Sequence, residues 1–161
     1  MDVMRIVCCV GLCISLGACG FHLRGNYQLS SELQAINLQV ANDTGELARA
    51  LRRSLRSSNV ELVDAEVAPE LVVSAVEHQR RVLSVDTEGN PQEYELLAVA
   101  SVAIPETRSG YSLLSKELKV RRDYIFESSG VLSSSDQESQ LRLEMERELA
   151  RRIMGILQSQ H

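Results

Sequence analysis

The sequence has no tryptophan and only two phenylalanines, so any core it builds must be aliphatic. Its three histidines, His22, His78 and His161, have no second ligand at metal-site spacing. It has no Gly-x-Ser-x-Gly elbow and no glycine-rich phosphate loop, and the single glycine of GELARAL is a weak substitute. Without a nucleophile with its base, a metal site or a cofactor loop, an enzyme reading has no positive support, and no cofactor or metal is expected. A net charge of −5 argues against nucleic-acid binding by bulk electrostatics. Cysteine is scarce where a disulfide would need it. Cys8, Cys9 and Cys13 fall in the first 18 residues, and the rest of the chain holds only Cys19.

What is present at the N-terminus explains that cysteine. MDVMR is a short leading segment with one compensated charge pair, Asp2 and Arg5. IVCCVGLCISLGA follows as an apolar stretch of signal-peptide length, too short for a spanning helix, which needs about 20 apolar residues. Leu16-Gly17-Ala18-Cys19 resembles the bacterial lipobox, in which small residues admit a peptidase and the thiol takes a diacylglyceryl group. We expect a lipoprotein signal peptide over 1–18, a lipidated tether over 19–34 and a single domain over 35–161. An unpaired exported cysteine needs a reason, and lipidation supplies one. Acyl chains on Cys19 would anchor the chain to a membrane. Gly20, where inner-membrane lipoproteins resemble one another in carrying Asp, favours the outer membrane.

The rest of the chain reads as strand, helix, strands, helix. QAINLQV (34–40) alternates as a strand, with Ile36, Leu38 and Val40 on one face. Asp43 and Glu46 have capping-box spacing, and a helix to about Ser58 buries Leu47, Ala48, Leu51 and Leu55. VELVD (60–64) reads as a short strand, and 70–85 as one long β-rich run. DTEGNPQ is a turn, after which 93–105 and 111–128 return as strands. SGVLSSSDQ reads as a flexible loop. Ser135 and Glu138 form a second capping-box pattern, opening a helix from about Asp136 to Gln158 with an apolar stripe from Leu141 to Leu157. The expected fold is α+β: a mostly antiparallel sheet of about four strands with two amphipathic helices on one face.

Two basic patterns are the candidate contact surfaces. Arg49, Arg52, Arg53 and Arg56 recur at i, i+3, i+4 and i+7, one stripe opposite the leucines. Lys119 and Arg121 share one side of the last strand, and Lys116 and Arg122 the other, with Arg80 and Arg81 on a neighbouring strand. Either pattern could be a solvated face or could meet anionic lipid or an acidic partner. Acidic pairs such as Glu144/Glu146 and Glu146/Glu148 read as solvated helix surface.

Cys19-Gly20-Phe21-His22-Leu23-Arg24, LARALRRSL with NVELVD (47–64), EYELLAVASVAIP ending at Pro105 and the C-terminal helix, taken in this order, resemble the LptE family of lipopolysaccharide-assembly lipoproteins. The resemblance implies a non-enzymatic outer-membrane protein that plugs and helps fold the β-barrel LptD, facing the periplasm and the barrel lumen. It also implies contact with lipopolysaccharide. Family members can place basic residues at the hairpin tip, but here the tip is Asp86-Thr87-Glu88-Gly89-Asn90, so lipid-contacting residues do not carry over by position. The alternative is a stand-alone periplasmic lipoprotein that binds a small ligand or envelope polymer in a concave pocket.

Overall fold

The computed structural model describes residue 29 and residues 33–65, 68–105, 114–126 and 131–159, with the backbone alone at 114 and 131–134. The signal segment, Cys19 and most of the tether lie outside these residues. In chain order the elements are β1 (Ala35–Val40), α1 (Glu46–Ser57), β2 (Glu61–Leu62), β3 (Glu70–Val73), β4 (Glu77–Val85), β5 (Pro91–Ile104), β6 (Leu114–Ile125) and α2 (Val131–Gln158).

The α+β class holds, but the sheet has six strands among the described residues rather than about four, and it is mixed. Strand β1 pairs in parallel with both β2 and β3. The parallel β1–β2 pair follows from α1 lying between them in sequence, since a crossover returns the chain in the same direction. The rest is antiparallel: β5 pairs with β3 and β4 along one edge and with β6 along the other. The expected run over 70–85 divides because Ser74 interrupts it. The Ser74 N–H donates to Ser101 O, and the Ser101 N–H donates to Ser74 Oγ, both at 2.9 Å. A side-chain oxygen thus stands where a backbone acceptor would continue the ladder.

Even-numbered residues of β5, from Leu96 to Ile104, point into the core with Val120 and Tyr124 of β6. Leu47, Leu51 and Leu55 of α1 and Met145, Leu149, Ile153 and Leu157 of α2 cover them. Each fully buried side chain of this size contributes roughly 1.5–3 kcal/mol.

The helix ends differ from the capping-box expectations. Helix α1 starts behind Gly45, with no side-chain cap bond, rather than behind Asp43. A Cβ at Gly45 would come within 2.9 Å of Asn42 Nδ2 and 3.2 Å of Asn42 O, so a side chain there would require the Asn42 side chain to move and the turn to give slightly. The far end closes in a Schellman pattern: Val60 N–H donates to Leu55 O and Asn59 N–H to Arg56 O, with Asn59 at φ 59°. Helix α2 begins at Val131, so part of the expected flexible loop is helical. Ser135 lies inside the helix, its carbonyl accepting the Ser139 hydroxyl at 2.9 Å. No described helix is long and apolar enough to cross a membrane.

Candidate functional site

The arginine stripe on α1 is real in geometry but largely engaged within the molecule. Arg49 donates to Glu46 Oε2 and to the Thr44 carbonyl, and Arg53 donates to Glu46 Oε1 at 3.0 Å. Arg52 bonds the exposed Asp43. Arg56 alone of the four has no side-chain hydrogen bond or ion pair among the described residues, and it is exposed.

Glu46 organises this region, and the capping reading had missed its role. It is a helix-start carboxylate with a side chain only 7% exposed, and it accepts from Arg49, Arg53 and, across the helix pair, Arg147 of α2 at 2.8 Å. The Arg147 hydrogen bond is the largest influence holding its carboxyl at about 2; burial opposes it and the other two arginines reinforce it. Glu146 of α2 is half-buried, not a solvated residue. It accepts the Leu47 N–H at 3.0 Å, giving the start of α1 the side-chain cap bond that its N-cap Gly45 does not provide. Its other oxygen accepts from His78 Nε2 of β4 at 3.1 Å, and this bond chiefly lowers the Glu146 pKa. His78 Nδ1 is buried and has no hydrogen-bond partner among the described residues.

The face of β4, β5 and β6 turned away from the helices carries Lys119 and Arg121 together, as alternation predicts. Arg121 and Arg81 close from both sides on Glu95, each at 2.7 Å, leaving that carboxylate 8% exposed. Lys119 pairs with Glu117 at 2.7 Å. Glu77 lies opposite Val99, and Asp123 opposite Glu95, so the surface is mixed in sign rather than basic. Lys116 and Arg122 take the core side of β6 yet remain exposed. Arg80 does not join a basic patch. It lies 4.6 Å from the centre of the Tyr94 ring and donates to Glu138 of α2 at 3.0 Å. Tyr124 also donates to Glu138, at 2.7 Å, and burial followed by that carboxylate pushes the phenol up to about 12. Burial raises Glu138, but bonds from Tyr124, Arg142 and Arg80 outweigh it and leave the carboxyl below its ordinary range.

A groove of about 720 Å³ runs beside β1, lined in part by Leu38, Val40, Leu62, Val72, Asp43 and Arg52. Its Asp43 and Arg52 are bonded to each other rather than converging on the space. No group of three His, Cys, Asp or Glu side chains that could hold a metal occurs among the described residues.

Residues 33–155 match the family model LptE, described as lipopolysaccharide-assembly. The chain is similar to the LPS-assembly lipoprotein LptE of Pectobacterium atrosepticum, 29% identical over 151 residues that cover 90% of this chain and 80% of that one. It is 31% identical to the LPS-assembly lipoprotein LptE of Yersinia enterocolitica over 152 residues, covering 90% and 71%. Among solved structures it is similar to the rare lipoprotein B from Shewanella oneidensis, with 30% identity and a TM-score of 0.71, covering 78% of this chain and 94% of that one.

Proposed function

The chain belongs to the LptE family, and we propose that it serves lipopolysaccharide assembly as the lipid-anchored plug and folding partner of an LptD-like outer-membrane barrel. The observation that carries this is the reach of the family match, 33–155, which takes in every strand and most of α2. The surface suits the role. The lumen of a large barrel is polar, and both candidate faces present charged side chains already set in place by internal partners. The role is one of binding, without a covalent step. In this reading Cys19 carries the lipid, and the domain faces the periplasm and the barrel lumen. The test is co-purification from outer membranes: the tagged chain is expected to bring down a large β-barrel. Recovery of the chain without a barrel overturns the plug and leaves a stand-alone binding module.

The anchor has its own test. Cys19→Ala is expected to abolish acylation and leave unprocessed or soluble protein on fractionation, while circular dichroism of the domain stays as in the parent. Parent protein whose mature mass includes no acyl group overturns the anchor.

The structure divides the proposed contacts on α1, Arg49, Arg52, Arg53 and Arg56. Arg56→Glu is expected to leave stability within about 0.5 kcal/mol, as for a surface site. It should also weaken barrel co-purification or lipopolysaccharide binding, more so at low salt. Arg53→Glu places a carboxylate beside Glu46 and is expected to lower the melting temperature as well. If Arg56→Glu alters neither contact, that end of the stripe is only a solvated face. On the sheet, Lys119 is the proposed contact that can be reversed without freeing a buried carboxylate, because Arg121 holds Glu95.

A further inference from the structure

Strand β6 ends the sheet, and no strand pairs with its far side among the described residues. The phase of its ladder is fixed by one bond. Phe126 N–H donates to Gln92 O at 2.7 Å, continuing the register in which Glu93 faces Ile125. Even-numbered residues of β6 therefore exchange hydrogen bonds with β5. The N–H and C=O groups of the odd-numbered residues, Ser115 to Ile125, point out of the sheet edge. An open edge this long is a template for adding a strand.

Two neighbouring outward carbonyls on that edge are occupied. Arg152 reaches across from α2 and donates from Nη1 to Lys119 O at 2.7 Å. Arg122 folds back and donates from Nη1 to Arg121 O at 2.9 Å. Glu148 accepts from Arg152 Nε at 3.2 Å, which steadies the arm from the helix side. Both guanidinium groups lie along the edge where an added strand would run, about 4.8 Å out, and both bring charge to it. We propose that Arg122 and Arg152 guard the β6 edge, keeping it from pairing with β6 of a second copy of this chain.

A second copy is the occupant that the edge itself fits. Antiparallel pairing centred on Lys119 would set Glu117 of each copy opposite Arg121 of the other on the outer face. It would also create an isologous dimer about a two-fold axis. The guarded carbonyls sit at the middle of that pairing, where occupation interferes most.

The experiment is sedimentation velocity of the full chain in detergent over a concentration series. The parent is expected to be monomeric. Arg122→Ser with Arg152→Ser is expected to self-associate roughly tenfold more tightly, from the acceptors freed on each copy. Adding Lys119→Pro should restore the monomer, because that N–H points into the edge and its loss breaks no bond to β5. A double variant that melts cooperatively and stays as monomeric as the parent overturns the proposal. So does association that Lys119→Pro fails to reverse, since it must then use another surface. Arg152→Ser alone leaves β6 intact and is expected to shift association the same way by less. If the double variant does not fold, an unchanged single variant overturns the guard.

Discussion

Leu149→Ala and Leu51→Ala are each expected to cost about 2–5 kcal/mol of folding stability, read as a lower denaturation midpoint at unchanged slope. Both side chains are 0% exposed; Leu51 stands at the middle of α1, and Leu149 at the middle of the apolar stripe that runs from Leu141 to Leu157 on α2. The loss at Leu149 should lie toward the upper end. Met145, Ala150, Ile153 and Met154 around it on α2 are themselves buried, so little can move in to fill the space. Because a domain of this size holds roughly 5–15 kcal/mol in total, either change removes a large share. Leu83→Ala is the matched control: that leucine is 42% exposed near the hairpin tip, and its truncation should alter stability by no more than about 0.5 kcal/mol. If the helix variants unfold with the parent's midpoint, the two stripes do not face the sheet.

Those stripes were legible in the sequence because they depend only on local period. Leu47, Leu51 and Leu55 recur every four residues, and the alternation of Leu118, Val120 and Tyr124 carries β6 on the same grounds. The charged contacts were less legible, since their meaning comes from chain segments far apart. Glu46 looks like a helix-start carboxylate and Glu146 like surface charge, yet Arg147 reaches Glu46 across 101 residues and Glu146 reaches Leu47 across 99. Part of the signal was present: Glu46, Arg49 and Arg53 have helical spacing, which favours an ion pair over a capping box. Ser74 shows the same limit in the sheet. Nothing local marks it as the residue whose hydroxyl replaces a backbone acceptor and divides a strand. The basic reading of Lys119 and Arg121 omitted the residues they would meet, because the register that puts Arg121 and Arg81 on Glu95 is not written in β6. Alternation places Arg122 with Lys116 on the side of the last strand opposite Arg121 and says no more of it. The ladder phase instead makes it a side chain that returns to its own strand's edge.

Glu46→Gln is expected to remove up to roughly 3 kcal/mol at neutral pH and to flatten the acid limb of the stability curve. The sign follows from the direction of the shift. The Glu46 carboxyl stands at about 2 in the folded chain against an ordinary 4.5, with the Arg147 hydrogen bond as the chief cause. A depressed carboxyl stabilises the fold fully above its unfolded value. That contribution is lost as pH falls from about 4.5 towards about 2, where the unfolded chain takes up a proton and the folded one resists. The parent should therefore lose stability steeply across that window, and the Gln variant should start lower and fall less. Glu138, Glu146 and Glu148 are also held below their ordinary range, so the variant keeps part of the acid limb. Combining Glu46→Gln with Glu146→Gln should flatten it further, because Glu146 is itself held below its ordinary range, chiefly by His78, and glutamine does not titrate. Urea midpoints followed by circular dichroism between about pH 2 and 7 measure this directly. Parent and Glu46→Gln curves that run parallel below pH 5 would mean that the three arginines meet at Glu46 without holding its proton off. The stability of the junction between α1 and α2 would then come from the buried leucines and the Glu146 cap rather than from the charge on Glu46.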